Sequence, residues 1–324
     1  MKQKIEENIR LAGELACLLE VSGTPKPGNV HRLYDFGDTR YEHFLAGAIA
    51  IGPCLEEAAK IGVAIGEKKK KVDDACVGKL IYDAMESTRK WHRGGNTNFG
   101  IIMLFVPLAL AAGKTKTELG SFDSGTLRKN AVEILKKTTT DDAVAFVEAV
   151  GDYIAFHPQP HKQRLKERYK GKKKYDILSP DFKRTIRKEK KTLFELLKSA
   201  RRIDAICEEL FTWKNTFDVG LPIFTETLDS TGDINIATVN THLALLSRWD
   251  QFEKTKNTSP LLSVEEVAGQ AKNAFELGGL KTDMGRIEVE HLDRKLERAH
   301  VNTGAAADFV ATTLFVGLLQ GGRP

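Results

Sequence analysis

Covalent cross-linking has little to work with in this chain. Its 324 residues include four cysteines, Cys17, Cys54, Cys76 and Cys207, far apart and with no C-x-x-C pair. They read as reduced thiols packed in helices, the pattern of a cytoplasmic protein. No His/Cys cluster has zinc spacing, and no G-x-S-x-G marks a serine hydrolase. The most apolar run, Ile101 to Ala112, is 12 residues long and contains Pro107. That is too short to span a bilayer, so it reads as a buried helix and no membrane partner is expected. Met1 to Glu7 is charged rather than apolar, unlike a signal peptide. No segment alternates with period two, which argues against sheet, and no fixed repeat recurs.

What remains is hydrophobic residues at helical spacing. They make up 41% of the chain, enough for a sizeable core. Ile5, Ile9, Ala12, Leu15, Ala16 and Leu19 define a first helix over 3–21. Thr39, three residues before Glu42, reads as the N-cap of a second, which should kink or restart at Pro53. A third runs from about Asp73 to His92. Others are expected at 124–137, 141–155, 191–218, 232–252, 263–277, 283–299 and 304–319, the first of the last three opened by a Ser263–Glu266 capping box. The expectation is an all-α protein, one bundle-like domain over 1–324 of about ten helices.

The net charge of +5 is uneven. Residues 161–191 hold 14 Lys/Arg against 4 Asp/Glu, a local +10, which leaves about −5 elsewhere. This reads as a basic exposed connector at about 157–190. Before Phe182 its aromatics are Tyr169 and Tyr175, too few to interleave with the cations as a nucleic-acid groove requires, so nucleic acid is not the expected partner.

Three stretches concentrate polar chemistry at helix entrances. In Thr24–Arg32, two prolines stiffen the backbone around Lys26, and Gly28 allows a turn before Asn29, His31 and Arg32. Such a loop is either a helix-ending turn with exposed charges or a phosphate site. In Arg93–Gly100, Gly94 and Gly95 free the backbone while Asn96, Thr97 and Asn98 supply short polar heads ahead of an apolar helix. Thr97 or Asn98 could cap that helix; the loop could equally hold an anion at the helix N-terminus. In Val301–Asp308, Asn302, Thr303 and Gly304 precede another apolar helix, with Asp308 in its first turn. Asp35, Asp38, Asp204 and Asp308 are carboxylates that could hold Mg²⁺. The plainer readings are a surface pair of Asp204 with Arg201, and a helix-start aspartate at 308.

Taken together, T-P-K-P-G-N-V at 24–30, G-x-N-T-x-x-G at 94–100, R-x-I-D ending at Asp204 and N-x-G-x-x-A-D at 302–308 resemble the triphosphoribosyl-dephospho-CoA synthase family. The resemblance implies an all-helical transferase. The 2′-hydroxyl of 3′-dephospho-CoA would attack C1′ of the ATP ribose, adenine would leave, and the product would be a prosthetic-group precursor for citrate lyase or malonate decarboxylase acyl carrier proteins. It implies ATP as substrate, Mg²⁺ as cofactor and CoA-type partners; a homodimer is a further expectation. On this reading His31, Asp35 and Asp204 are the catalytic candidates. Lys26, Gly28, Asn29, Arg32, Gly95, Asn96, Thr97, Asn98, Gly100 and Asn302 bind nucleotide or phosphate, and Asp35 and Asp308 hold metal.

The chain departs from the family pattern at Asn98 and Phe99, where citrate-lyase-associated members carry His-Lys. It also departs at 254–259, which lacks a T-L-I-A-R-K-like run. Asn98 and Phe99 keep open a related ribosyl transferase with another acceptor, and the basic segment keeps open a non-catalytic protein that binds RNA or another polyanion.

Overall fold

An apolar helix needs neighbours on every side, and Phe99–Leu119 (α5) has them. By length and composition it could cross a membrane, but 83% of its apolar window is buried within the protein. The computed structural model describes residues 4–37, 39–156, 181–253, 259 and 261–324. Most of the expected basic connector, the 254–258 departure and Asp38 lie outside these residues.

Around α5 pack α1 (Ile5–Ser22), α3 (Gly52–Gly66), α4 (Val77–Trp91) and α6 (Ser124–Lys136). Close approach of α3 and α5 depends on glycine: a Cβ at Gly62 would lie 2.0 Å from the Leu110 carbonyl oxygen. α2 (Tyr41–Ala50) joins α1 to α3, and the chain restarts at Gly52–Pro53 as the proline predicts. α7 (Thr140–Phe156) covers α4 and carries α8 (Phe182–Glu189) and α9 (Leu193–Ala200).

A second group holds α10 (Ala205–Thr212), α11 (Leu221–Thr231), α12 (Ile234–Leu246), the short α13 (Trp249–Phe252), α14 (Val264–Glu276) and α15 (Asp283–Arg298). The final helix, α16 (Gly304–Leu319), packs on α1 and α5 and also on α11 and α12. Phe105 and Phe315, with ring centroids 4.6 Å apart, join α5 to α16. One continuous hydrophobic cluster runs through both groups. Among the described residues every regular element is helical, as expected.

Three expectations need correction. The stretch 191–218 is not one helix. It breaks at Arg201–Ile203 and again at Trp213, where the buried Glu209 carboxylate accepts from the backbone N–H groups of Asn215 and Thr216 and holds a π-helical turn, Asn215–Gly220. Thr39 does not cap α2. Its hydroxyl donates to the Phe36 carbonyl, and the Tyr41 N–H is taken by Asp35 Oδ1 at 2.8 Å. The end of the expected connector, 182–189, is helical and buries Phe182 and Ile186 against the core. The Ser263–Glu266 box forms as expected.

Candidate active site

α1 delivers the chain into 24–32, and that segment is fixed by residues far away in sequence. Asn235, in the first turn of α12, accepts from Thr24 N and donates to Thr24 O, each at 2.9 Å. The Pro27 carbonyl accepts from Thr303 Oγ1 at 3.0 Å and His242 Nε2 at 3.1 Å. Thr303 N donates to Gly28 O at 2.9 Å. Gly28 has φ +75°, and a Cβ there would lie 2.8 Å from Thr303 Cγ2 and 3.1 Å from Val301 O. The first entrance is thereby stitched to the third.

Lys26 is fully buried. Of the two readings of this loop, a helix-ending turn with exposed charges does not describe Lys26. A buried ammonium requires a partner, and Nζ donates to the Glu20 carboxylate and, at 2.9 Å, to the Glu20 carbonyl. Burial pushes Lys26 down and Glu20 up, each opposed by the other's charge. Asp308 faces the same pair. Burial, then the carboxylates of Glu20 and Asp204, hold its pKa well above the usual range against the pull of Lys26. The thiol of Cys17 is raised by burial and by Glu20 and Asp308. Glu20 and Lys26 are thus a contact pair whose field reaches Asp308, which in turn feels Asp204.

The second entrance meets the same cluster. A Cβ on Gly100 would lie 2.1 Å from Asp308 Oδ2, so the carboxylate rests against the first turn of α5. Only glycine admits that approach. Asn96, not Thr97 or Asn98, caps the turn, accepting from Phe99 N at 2.9 Å. Thr97 Oγ1 donates to Asn98 Oδ1 and lies 3.1 Å from His92 Nε2. His92 stacks on His43, and burial followed by the His43 charge lowers its pKa. Gly95 through Asn98 line a solvent-open pocket between α4 and α7. Phe99 stacks on Phe146 of α7, with centroids 6.2 Å apart.

Six further expected residues are placed as follows. His31 is buried, with Nδ1 2.9 Å from Thr24 Oγ1 and Nε2 3.3 Å from Asp293. Asn29 is buried with its Oδ1 unpartnered. Asp35 is exposed and capping α2, which separates its role from that of Asp308. Asp204 is not inside an amphipathic helix but is the N-cap of α10, accepting from Cys207 N at 3.0 Å, while Arg201 pairs with Glu208. Arg32 keeps its guanidinium exposed while Nε donates to Ser22 O, and the exposed Asn302 accepts from Gly304 N.

Residues 6–324 match the ATP:dephospho-CoA triphosphoribosyl transferase family. The chain belongs to that family. A 2-(5″-triphosphoribosyl)-3′-dephosphocoenzyme-A synthase of Klebsiella pneumoniae is 28% identical over 102 residues, 32% of this chain. The match spans about a third (33%) of that relative's own length. A crystal structure from Archaeoglobus fulgidus, described as a triphosphoribosyl-dephospho-CoA synthase, is similar in fold. Its TM-score is 0.56 at 22% identity, covering 88% of this chain and 100% of the other.

In this member of the transferase family, sequence reasoning passed over Glu20, His242 and Asp293. Glu20 carried a signal. Ile9, Gly13, Ala16, Cys17 and Glu20 fall on one buried face of α1, so helical period alone takes this carboxylate into the core, where it demands a cation. Asp293, on α15, had no local signal. Among the described residues no three His, Cys, Asp or Glu side chains gather as a protein-only metal cage.

Proposed function

We propose that this chain transfers the triphosphoribosyl group of ATP to the ribose 2′-hydroxyl of 3′-dephospho-CoA and releases adenine. The reading is carried by one observation: the three motif-bearing helix entrances, far apart in sequence, meet one another, Thr303 on Pro27 and Gly28, and Asp308 against Gly100. In the reaction the 2′-oxygen bonds to C1′, the C1′–N9 bond breaks with its electron pair going to adenine, and the hydroxyl proton ends on the departing base. The oxocarbenium-like centre at C1′ is stabilised by nearby carboxylate charge. His31, the candidate for proton transfer, holds Nδ1 on Thr24 and Nε2 beside Asp293, so taking the hydroxyl proton would require one of these contacts to open. The exposed Arg32 and the N-termini of α5 and α16 are suited to the triphosphate.

Mg²⁺ fits this donor set. Asp308 lies against the first turn of α5, a helix entrance suited to phosphate, and Mg²⁺ typically takes one or two carboxylates together with substrate phosphates. Asp204 and Asp308 would hold it; bound, it would neutralise triphosphate charge. The four unpaired cysteines suit the cytoplasm.

The test is incubation with ATP, Mg²⁺ and dephospho-CoA, followed by chromatography for adenine. Stoichiometric adenine and a conjugate heavier by the triphosphoribosyl mass are expected. No adenine from a folded sample that binds ATP would sink the reading. A second reading, another acceptor, is favoured by Phe99 stacked on Phe146 and by the buried Asn98, which put no cation at that point. It predicts adenine release only when cell extract supplies the acceptor.

A further inference from the structure

We propose that the proton of the acceptor hydroxyl leaves through Thr24, whose own hydroxyl hands a proton to His31 with Asp293 behind the ring; this deepens the transferase reading above and rests on it. His31 is buried, with Thr24 at one ring nitrogen and Asp293 at the other. Direct transfer to the ring would break one of these contacts. Transfer through Thr24, which is half-buried, breaks neither.

The direction of the Thr24–His31 bond follows from a third group. The backbone N–H of Leu33 donates to His31 Nδ1 at 3.4 Å, so that nitrogen carries a lone pair and the neutral ring keeps its proton on Nε2. The Thr24 hydroxyl, 2.9 Å from Nδ1, is therefore the donor. Its oxygen has no other hydrogen-bond partner among the described residues, which leaves its lone pairs to accept from a second hydroxyl. On the far side of the ring, Asp293 Oδ2 lies 3.3 Å from Nε2, where it would balance the imidazolium that forms. A base that holds an oxygen at one nitrogen and a carboxylate at the other acts through that oxygen.

The Thr24 backbone is clamped on both sides by the Asn235 side chain, which fixes where the hydroxyl starts from. Arg32 Nη2 reaches the same Asn235 Oδ1 at 3.4 Å, and its Nε donates to Ser22 O. The exposed guanidinium suited to the triphosphate is thus tied to the amide that holds Thr24.

The step balances. The 2′-hydroxyl gives its proton to Thr24 Oγ1 as Thr24 gives its own to His31 Nδ1, and the freed 2′-oxygen bonds to C1′. The C1′–N9 electron pair goes to adenine, which takes up one proton. His31 then releases the one it gained, and the chain is unchanged.

The experiment uses the full chain. Proton–nitrogen correlation spectra of histidine-labelled wild type read the His31 tautomer, its signals assigned by their contacts to the Thr24 methyl group. A proton on Nε2 and none on Nδ1 is expected; a proton on Nδ1 overturns the relay without any variant. In the adenine assay Thr24→Val should lower kcat per folded molecule about 10²- to 10⁴-fold, the worth of a placed base, with the KM for ATP unchanged. Thr24→Ser, which keeps the hydroxyl, should recover most of the rate. Residues that act as a unit are non-additive, so the double variant with His31→Gln should be no slower than the slower single. Wild-type kcat in folded Thr24→Val, or a double variant slowed by the product of the two losses, overturns the relay and leaves the transfer reading standing. So does a triphosphoribosyl group found on Thr24 after incubation with ATP alone, which would make that oxygen the nucleophile. No adenine from wild type, with dephospho-CoA or with cell extract, sinks the transfer reading and the relay together.

Discussion

Replacing Lys26 by methionine keeps most of the side-chain volume and removes the charge. If Lys26 were a surface phosphate ligand, the fold would barely notice and ATP affinity would drop. Its environment says otherwise. The side chain is fully buried, and Nζ is held by both the carboxylate and the carbonyl of Glu20. Breaking a buried pair from one side leaves an uncompensated charge and costs about 3–5 kcal/mol, whereas replacing both partners by apolar groups is often neutral. Lys26→Met and Glu20→Met are each expected to lose roughly that amount, a fall in Tm on the order of 10 °C. The double variant should be more stable than either single. Urea denaturation of all four proteins gives the cycle directly. A Lys26→Met protein as stable as wild type but unable to bind ATP would refute the structural assignment and restore the lysine as a phosphate ligand.

Gly28→Ala forces a side chain into the left-handed region and against Thr303 and Val301 O. It should cost about 2–4 kcal/mol by urea midpoint. Asp308 titrates upward in the fold, so its contribution to stability is full below pH 3.8 and is lost as pH rises through the folded value. Asp308→Asn should therefore be more stable than wild type at pH 8 by about 0.5–2 kcal/mol, with the gap closing toward pH 4, and should be inactive in the adenine assay. His242 moves the other way, down to about 3 from 6.5 because burial disfavours its charge. Its neutral form supports the fold at neutral pH, and that support is lost as pH falls from 6.5 toward 3, at most roughly 5 kcal/mol. His242→Gln, which can still donate to Pro27 O, should flatten the acid limb of the stability–pH curve.

Helical period located most elements, because burial on one face leaves a trace that neighbours do not erase. Caps were legible where both partners are local, as at Ser263 and Glu266. They failed where a third residue intervened. Asp35, reached through a tight turn, displaced Thr39 at the start of α2. In 191–218 the apolar spacing continues through breaks set by the buried Glu209 carboxylate and by the cap at Asp204, neither of which changes the period. In the site, residue types were legible and their partners were not. Lys26 was visible as chemistry, but its burial depends on Glu20 turning inward one helical turn beyond Ala16.

The placement of the site follows from the two helices that carry least polarity. α5 and α16 are buried over most of their length, so neither has a face on which a functional polar group could sit. Their first turns still expose N–H groups without intrahelical partners. Polar residues must collect there: Asn96 on Phe99 N, Asn302 on Gly304 N, and the Asp308 carboxylate against Gly100. Because α16 packs on both α1 and α5, satisfying these ends draws 24–32, 94–100 and 301–308 to one place. The solvation problem of two apolar helices thus gathers the polar side chains of three distant segments at one place. It also predicts that changes within the buried length of α5 or α16, such as Phe105→Ala at the Phe315 contact, should cost about 3–5 kcal/mol by urea denaturation. Such a change should lower activity only in proportion to the folded fraction, whereas a change at either helix entrance should separate activity from stability.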